Sequence, residues 1–444
     1  MRKARFLVHL VLLFLKRFGI LIGVGILVGG ILFGLRSKIT TLLPGLTTQE
    51  KIGVVGRFTA DTLPLSISSR ISFGLTIVDK ENLPQPGIAE SWETKNEGRV
   101  WVFTFKKDLR WQDNTSLKSS DFSYNFPGIT VSYPDEAHIE FQLSDPYAPF
   151  PIIVSRPYFK KGLLGVGEWR VRKIVTSAGN VQELTLEEKT TRIQKVYRFY
   201  PTEESLIAAF KLGEVNTISE ISDPHALFSW KTVELSPISH EDRFVGIFLN
   251  TADSLLAEKN IRQALAYATN KGNIDEMSTR ALSPLSPSSW AYNPLVKTYD
   301  YDPARARKLL DELPKDQREQ FSINLVTIPS LLEPAEKIAK DWEEVGVSTT
   351  VQVGTGVPEN FQALLATQVI PPDPDQYSMW HSTQTDTNIT HYKSARIDKL
   401  LEDGRRTLNQ DERKRIYLDF QRFLVEDSPV IFLYHPISYT ISQK

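Results

Sequence analysis

The stretch "SINLVTIPSLLEPAEKIAKDWEEVGVSTTVQV", residues 322–353, predicts a strand, a helix and a second strand in succession. Both ends of the stretch are rich in β-branched and aliphatic side chains, as strands are. Pro334 suits the first turn of a helix, Ile338 and Trp342 share one helical face, and Gly346 is a typical helix stop. A strand–helix–strand unit of this kind favours an α/β lobe.

The rest of the chain mixes strand and helix patterns. Apolar or alternating runs predict strands at residues 100–105, 138–143, 181–186 and 430–435. Helical spacing predicts helices that begin after Thr202 and Asp302 and others across residues 259–271, 397–401 and 416–424. The second half is richer in helices than the first, and the join between the two regions is predicted near residues 240–251.

The chain has 444 residues, which exceeds one ordinary hydrophobic core and predicts two or three packed domains. It contains no cysteine, so disulfides, thiol nucleophiles and thiolate zinc sites are excluded. Residues 1–38 carry seven Lys or Arg and no acidic residue, and the remainder holds 45 basic and 53 acidic side chains. This mildly acidic body argues against nucleic-acid binding, which needs a basic surface to meet phosphates.

An N-terminal membrane anchor is predicted over residues 18–35, a run of 18 residues without a charge. As a helix it would be roughly 27 Å long, close to the hydrocarbon thickness of a bilayer. Five basic residues precede it, which predicts a cytoplasmic N terminus and a body outside the cytoplasmic membrane. The alternative is a cleaved signal peptide, but the apolar run is long and no A-x-A site follows it. Residues 1–38 are therefore assigned to a basic tail and transmembrane helix, and residues 39–50 to a stalk.

Motifs of enzymes and cofactor sites are missing from the sequence. It has no G-x-S-x-G, H-E-x-x-H or G-x-x-x-x-G-K-[ST] motif. The seven histidines include no pair three or four residues apart, so no helical pair of metal ligands is predicted. "GVGEWR", residues 165–170, lacks the third glycine of a dinucleotide loop and is interpreted as a turn into a strand. We therefore predict a protein that is not an enzyme and has no cofactor or metal.

One proline-led segment, "PDPDQYSMWHSTQTDTNITHY" at residues 372–392, combines polar and aromatic residue types. His381 and Ser382 are residue types of a catalytic triad, but adjacency along the chain does not build a triad, whose members must meet in space with an orienting acid. Aromatic side chains with polar tips also suit an apolar cleft that orients a ligand by a few hydrogen bonds. The segment is therefore interpreted as the wall of a binding cleft.

Six side chains, from this segment and from the loop "SSWAYNP", are predicted to contact the ligand: Asp375, Tyr377, Trp380, His381, Trp290 and Tyr292. The alternative for Tyr377, Trp380 and His381 is a structural role, with Trp380 in the core and the others coating a loop. The alternative for Asp375 is a solvated or helix-capping role. The alternative for Trp290 and Tyr292 is an ordinary surface turn.

Further motifs follow one another along the chain. They are "PGIAESWETKNEGRVWVFTFKKDLRWQDNTSLKSSDFSYNF" (86–126), "YPTEESLIAAFKLGEVNTI" (200–218), "VGIFLNT" with "NIRQALAYATNKGNI" (245–274), "YDPARARKLLDE", and the stretch from Ser394 to Pro436. Each is weak alone, but their order resembles that of the extracytoplasmic solute-binding proteins of peptide-type ABC importers, over about residues 52–436.

The chain departs from that family's pattern in three places. Asp113 and Asn114 replace the usual Asp-Gly pair, and the segment between Phe126 and Gly165 is short, so a small subdomain of the first lobe is expected to be reduced. In peptide binders of the family an Asp anchors the peptide's amino terminus, whereas the matching place near Ile370 has no acid. Asp373 or Asp375 are the nearest substitutes.

The resemblance implies an α/β fold of two lobes, like periplasmic binding proteins, with a hinge and an interlobe cleft. It assigns residues 51–243 and the returning residues 430–444 to lobe I, and residues 244–429 to lobe II. Hinge closure over a ligand would shift an open–closed equilibrium that a transporter reads.

The implied function is that of the substrate-binding component of an ABC transporter. The protein would capture a peptide or similar small solute in the cleft and deliver it to permease transmembrane subunits, while its N-terminal helix holds it at the membrane. The alternative is a sensor or scaffold that retains the fold without transport, and an enzyme is a third hypothesis.

Overall fold

The computed structural model describes residues 18, 49–224, 227–275, 277–314, 321–356, 358 and 360–444. Within these residues no helix has the length and apolar character needed to cross a bilayer. The predicted anchor, apart from Phe18, and the predicted stalk up to residue 48 lie outside them.

The strands are numbered β1 to β19 along the chain, and they have these bounds: Gln49–Val55, Thr76–Val78, Pro84–Pro86, Ala89–Lys95, Val100–Phe105, Ile129–Asp135, His138–Leu143, Trp169–Ser177, Asn180–Glu188, Gln194–Tyr200, Thr217–Ile221, Val233–Ser239, Arg243–Leu249, Thr279–Arg280, Ser322–Thr327, Ser348–Val353, Ala363–Val369, Val430–His435 and Ile437–Gln443.

The α-helices are numbered α1 to α10 in the same way, with these bounds: Leu65–Ile71, Phe150–Ile153, Glu203–Lys211, Lys259–Ala268, Lys271–Ile274, Pro303–Asp311, Leu332–Glu344, Tyr377–Trp380, Ala395–Arg406 and Gln410–Asp427. The predicted caps at Thr202 and Asp302 are confirmed. Their side chains accept hydrogen bonds from the backbone amides of Ser205 and Arg305 at 3.3 and 2.9 Å, which satisfies free donors in the first turn of each helix.

The first lobe is built on two main sheets. The larger has the strand order β12–β19–β11–β1–β10–β9–β8, and the smaller has the order β4–β5–β7–β6. In the larger sheet β1 runs parallel to both β10 and β11. In the smaller sheet Phe103 and Phe141 contact each other and Phe150 of α2, with ring centroids 4.9 to 6.2 Å apart. The strands predicted at residues 100–105 and 138–143 are confirmed with the predicted bounds.

The second lobe is built on one sheet with the strand order β14–β18–β13–β17–β15–β16. Strands β15 and β16 pair in parallel and are joined by α7, so the strand–helix–strand prediction for residues 322–353 is confirmed. Trp342 on α7 is fully buried, and its Nε1 donates to Thr269 Oγ1 at 3.0 Å. Gly346 follows the helix at φ +91°, a left-handed conformation that glycine adopts without steric strain.

Two crossings connect the lobes, and they lie side by side. The chain passes from the first lobe to the second between β12 and β13, and it returns between β18 and β19. The amide of His240 donates to the carbonyl of Pro436 at 2.9 Å, and His240 Nε2 lies 2.6 Å from Ser438 Oγ. His435 Nδ1 donates to the carbonyl of Arg243 at 2.8 Å. This hydrogen-bonded pair of crossings is called the hinge below.

The C-terminal strands divide between the two lobes. Residues 430–444 were expected to return to the first lobe as one unit, but β18 pairs with β13 and β14 in the second sheet. Only β19 joins the first sheet, between β11 and β12. All six residues of β18 are buried. A strand buried on both faces needs cover on each side, and the second lobe supplies it.

Glu187 on β9 is enclosed by arginine side chains of the neighbouring strand. It accepts hydrogen bonds from Arg170 Nη2 at 2.7 Å and from Arg172 Nη2 at 2.6 Å. The hydrogen bond from Arg172 is the largest influence, and it lowers the pKa of Glu187 to about 2 against the opposing effect of burial. The ionised carboxylate therefore adds side-chain hydrogen bonds to the backbone pairing of β8 with β9.

We predict that Glu187→Gln lowers the free energy of unfolding at pH 7 by about 2 kcal/mol. A carboxylate with a depressed folded-state pKa stabilises above its unfolded value, near 4.5, and loses that effect as the pH falls to about 2. Urea unfolding should therefore show that the difference in free energy of unfolding between the native chain and the variant shrinks as the pH falls from about 4.5 to about 2. Glu234→Gln, an exposed carboxylate on β12, is the control. A gap of undiminished size at pH 2 would contradict the assignment.

Candidate functional site

A groove with a volume of about 550 Å³ lies on one face of the larger first-lobe sheet, and it is called the hinge groove below. Strands β1, β10, β11 and β19 form its floor, and α1 with the chain before it forms the opposite wall. Arg243, the first residue of β13, reaches it from the hinge. Its lining combines apolar, hydroxyl, basic and acidic side chains, among them Ile52, Val54, Phe58, Arg70, Tyr197, Ser219, Arg243, Thr440, Glu50 and Glu220.

Strand and helix periodicity decide which side chains face the groove. Ile52 and Val54 alternate along β1 with Gly53, whose own face is closed by the side chain of Leu206 on α3. On α1, Ile67 and Arg70 are three residues apart and therefore share a helical face. The β1 part of the floor is thus apolar at Ile52 and Val54, and the guanidinium of Arg70 lies on the opposite wall.

Two donors in the hinge groove have no hydrogen-bond partner within the described part of the chain: the guanidinium of Arg70 and the hydroxyl of Tyr197. Arg70 Cζ lies 6.0 Å from the ring centroid of Trp169, a contact that positions the guanidinium without using its N–H groups. Tyr197 is only 5% exposed. Burial raises the pKa of its phenol, and the nearby charge of Arg70 acts in the opposite direction. Arg70 and Tyr197 therefore offer positive charge and free donors to a ligand.

The other cations of the groove are compensated locally. Lys195 Nζ lies 2.8 Å from Glu50 Oε2 and also faces the ring of Trp169. Arg243 donates to both carboxylate oxygens of Asp242, each at 3.0 Å. Among the basic side chains of the groove, Arg70 is therefore the one that has no carboxylate partner within the described residues.

The lobes make a second set of contacts between the smaller first-lobe sheet and α9. Arg405 lies between two tyrosines, with its Cζ 4.9 Å from the ring centroid of Tyr147 and 4.3 Å from that of Tyr377. Its Nε lies 3.0 Å from Asp375 Oδ2 without meeting hydrogen-bond geometry. The hydroxyl of Tyr147 donates to the same oxygen at 3.3 Å. These four residues are called the clasp below.

The backbone reinforces the clasp. The amide of Ala148 in the first lobe donates to the carbonyl of Arg405 at 2.7 Å. That carbonyl belongs to the last turn of α9, where no helical donor is left for it. A cavity of about 350 Å³ lies beside the clasp, between residues 127–147 and residues 377–406.

Tyr377 and His381, both predicted for the wall of a cleft, lie together. Their rings stack at a centroid distance of 4.0 Å, and Tyr377 lines the cavity beside the clasp. His381 is 4% exposed, and its Nδ1 lies 2.8 Å from Thr383 Oγ1. Of the two, only Tyr377 is placed to meet a ligand.

The three other aromatic candidates pack against the second-lobe core. Trp380 is 1% exposed and its Nε1 donates to Gln376 Oε1 at 2.8 Å. Trp290 and Tyr292 are half-buried against the same core, and burial raises the pKa of Tyr292. The backbone amide of Trp290 donates to the Glu81 carbonyl of the first lobe at 3.3 Å. Trp380 therefore has a structural role in the core and does not contact a ligand site. Trp290 and Tyr292 lie neither in the hinge groove nor in the clasp.

Both candidate acids of the proline-led segment are paired with arginines. Arg413 donates to the two oxygens of Asp373 at 2.5 and 2.8 Å, and the whole pair is buried. Asp375 is held in the clasp, where burial raises its pKa and the charge of Arg405 opposes the rise. Ile370 is itself buried. None of these positions presents an uncompensated carboxylate to a ligand's amino group.

The polar residues that suggested a catalytic triad are tied into the scaffold. The hydroxyl of Ser382 donates to Asp398 Oδ2 at 2.6 Å, while His381 Nε2 lies 3.4 Å from Glu402 Oε1. His381 Nε2 also lies 4.0 Å from Asp398 Oδ1, but the serine hydroxyl donates to that carboxylate and not to the histidine, so the order of contacts in a catalytic triad is not formed. Across the described ranges no group of three or more His, Asp or Glu is close enough to hold a metal ion.

Sequence reasoning missed Arg70, Tyr197 and Arg243. Each stands in an ordinary amphipathic element, with no motif or unusual spacing around it. The sequence held one indication that Arg70 faces inward: it lies three residues after Ile67, and Ile67 contributes to the first-lobe core. Their convergence depends on which strands are neighbours in the sheet.

The central part of the chain matches a known family. Residues 189–389 match the profile of the bacterial extracellular solute-binding proteins, family 5. The chain is 23% identical over 451 aligned residues to the dipeptide-binding protein of Escherichia coli, with 79% of this chain and 80% of that protein covered. It is 21% identical to the periplasmic oligopeptide-binding protein of the same organism, with 84% and 83% covered.

A solved structure has the same fold at low sequence identity. The ABC transporter substrate-binding protein CtaP of Listeria monocytogenes superposes with a TM-score of 0.73 at 19% identity, covering 89% of this chain and 94% of that one. The similarity covers both lobes, so the predicted two-lobed α/β fold is confirmed.

We predict that Arg405→Met loosens the contact between the lobes. Losing two cation–π contacts costs about 1–2 kcal/mol and should raise the ratio of open to closed molecules roughly tenfold. Small-angle X-ray scattering of the full chain in nanodiscs would report this as a larger radius of gyration for the protein. Lys399→Met, an exposed cation on the same helix, is the matched control. Superimposable scattering from Arg405→Met and the native chain would show that the clasp does not hold the lobes together.

Proposed function

We infer that this chain belongs to the bacterial extracellular solute-binding proteins of family 5 and captures a small solute in the hinge groove of its first lobe, which Arg243 reaches from the hinge. The observation that carries this proposal is the pair of unpartnered donors, Arg70 and Tyr197, in a groove of about 550 Å³. Ligand sites in proteins have volumes of this order, and their few polar groups fix the orientation of the ligand. Arg243 at the hinge would let closure change the contacts that the ligand makes.

The solute that fits best is a short peptide or a similar molecule with a carboxylate. A guanidinium forms a charge-assisted and often bidentate contact with carboxylates, which favours Arg70 as the partner of that group. The apolar floor at Ile52 and Val54 suits aliphatic or aromatic side chains. Two relatives are named as dipeptide- and oligopeptide-binding proteins, which agrees with this class of solute.

The amino terminus of such a peptide would be held differently from the pattern expected of the family. Asp373 and Asp375 are each engaged by an arginine, and Ile370 carries no charge. In this chain the peptide would therefore be held by its own carboxylate, which binds Arg70. In the family's pattern it is held by its amino terminus, which binds an acidic residue at the place of Ile370. Asp375 and Tyr377 stabilise the closed arrangement of the lobes as members of the clasp, and His381 supports Tyr377 by stacking on its ring. Trp380 contributes by packing in the second-lobe core.

Delivery to a permease and attachment to the membrane complete the proposal. The uncharged run at residues 18–35, preceded by five basic residues, supports one membrane-spanning helix with the body outside the cytoplasmic membrane. Tethering keeps the receptor at a high local concentration near permease subunits. A sensor or scaffold that binds the same solute is the second candidate, since Asp373 and Asp375 are both committed to internal pairs. Recovery of permease subunits with the cross-linked chain would favour transport over it.

We predict that Arg70→Gln weakens binding of tri-alanine roughly 10- to 100-fold, because a charge-assisted hydrogen bond is lost. Tyr197→Phe should weaken it about fivefold through loss of one neutral hydrogen bond. Isothermal titration calorimetry of the full chain in nanodiscs would measure both values. Arg156→Gln, an exposed arginine of the same lobe, is the control variant.

The proposed contact between Arg70 and the peptide's C-terminal carboxylate is tested with tri-alanine amide, in which that carboxylate is replaced by an uncharged amide. If Arg70 holds that group, the amide binds the native chain as weakly as the free peptide binds Arg70→Gln. Equal affinity of the native chain for amide and acid would reject the assigned role of Arg70. No heat with either ligand, or with a mixed library of di- to pentapeptides, would reject peptide capture.

We also predict that the full chain stays in the membrane fraction after an alkaline carbonate wash. The physical reason is that about 18 apolar residues insert far more stably than any surface contact. Deletion of residues 1–38 should move the protein to the wash supernatant. Release of the full native chain into the wash supernatant would contradict the proposed membrane anchor.

A further inference from the structure

Exposed apolar side chains gather at one end of the larger first-lobe sheet. Leu212, directly after α3, is 77% exposed and Trp230 is 38% exposed, while Phe228, which is 53% exposed, continues the patch along β19, where its ring centroid lies 5.9 Å from that of Tyr439. Lys211 Nζ lies 5.8 Å from the ring centroid of Trp230, which joins the α3 end to the segment before β12. Large apolar groups at the surface carry a hydration cost that contact with another apolar phase removes. Lys211, Leu212, Phe228 and Trp230 are called the apolar tip below.

The apolar tip lies at the end of the sheet where β1 begins. Asn216, four residues after Leu212, exchanges hydrogen bonds with Lys51: its amide donates to the Lys51 carbonyl at 2.9 Å, and its Oδ1 accepts from the Lys51 amide at 3.0 Å. On the other side, Val233 pairs with Gln443, and the Gln443 amide donates to the Asn216 carbonyl at 3.1 Å. Leu212, Trp230 and the start of β1 are thus neighbours.

The residue types of the tip are those that proteins place at a lipid headgroup layer. Tryptophan has an apolar body and one polar N–H, and it is enriched at membrane interfaces. Lys211 and the adjacent exposed Lys231 add positive charge, which anionic headgroups attract. The carboxylate of the same turn, Glu214, is engaged by the hydroxyl of Tyr200 at 3.3 Å. The two lysines therefore place positive charge beside the apolar side chains, while Glu214 keeps its negative charge in the same turn.

We propose that the apolar tip rests in the headgroup layer of the membrane that holds the protein. The proposal relies on the tether at residues 18–35 described under the proposed function. Residues 36–48 join that segment to β1 and reach at most about 45 Å when fully extended. The end of the sheet that bears the tip is consequently held within that distance of the bilayer.

The test uses the lack of native cysteine, which permits single-site labelling of the full chain. Leu212→Cys and Leu295→Cys are each labelled with an environment-sensitive NBD dye and reconstituted into vesicles of phosphatidylcholine and phosphatidylglycerol. Leu295 is 90% exposed on the second lobe and serves as the matched control. Lipids with a nitroxide at the headgroup should quench the dye at residue 212 at least about twofold more than the dye at residue 295.

A second variant checks that the native side chains make the contact. Trp230→Ser in the Leu212→Cys background should reduce the quenching at residue 212 towards the value of the control. Quenching that is equal at residues 212 and 295, or unchanged by Trp230→Ser, would overturn lipid contact at the tip. A dye at residue 212 that is shielded from water but not quenched by lipid would indicate a protein partner instead and would also overturn it.

Failure of the tether gives a different result from failure of the tip. A chain that does not float with the vesicles in a density gradient lacks the anchor, and both proposals then fail. A chain that floats while its label at residue 212 stays unquenched retains the anchor, and only the lipid contact of the tip is lost.

Discussion

The two chain crossings at the hinge are the constraint on which the rest of the structure depends. Each lobe has its own sheet and core, and the crossings hold them in register through hydrogen bonds from His240 to Pro436 and from His435 to Arg243. Because β13 begins at the hinge, Arg243 is carried from the second lobe into the groove of the first. Any rotation about the crossings therefore changes the groove directly.

The clasp provides a counterpart to the hinge. It uses weak contacts, a guanidinium between two tyrosines and one backbone hydrogen bond to a helix end, so it contributes a few kcal/mol at most. Contacts of this size suit an equilibrium between two lobe arrangements, because differential binding of a solute of similar magnitude can shift it. A strong interlobe core would fix one arrangement and abolish the response.

Local patterns predicted the secondary structure of this chain well. The strands at residues 100–105, 138–143 and 348–353 have the predicted bounds, and the caps at Thr202 and Asp302 form as expected. The site was predicted less well. Tyr377 reaches an interlobe cavity, whereas Trp380 packs in the core, and the donors of the hinge groove were not anticipated. An aromatic residue has the same appearance in a sequence whether it faces a core or a cleft.

The sequence by itself determined the alternation of strands and helices, because apolar periodicity is a property of neighbouring residues. Its ordered motifs carried the resemblance from which two α/β lobes were expected. The sequence also determined the asymmetry of charge between the first 38 residues and the body. Only the tertiary structure decided that β18 stays in the second sheet while β19 returns to the first, that Asp373 and Asp375 are neutralised by Arg413 and Arg405, and that Arg70 is left uncompensated above Tyr197. Those outcomes depend on which distant segments become neighbours, and the burial and pairing of a charge are decided by those neighbours.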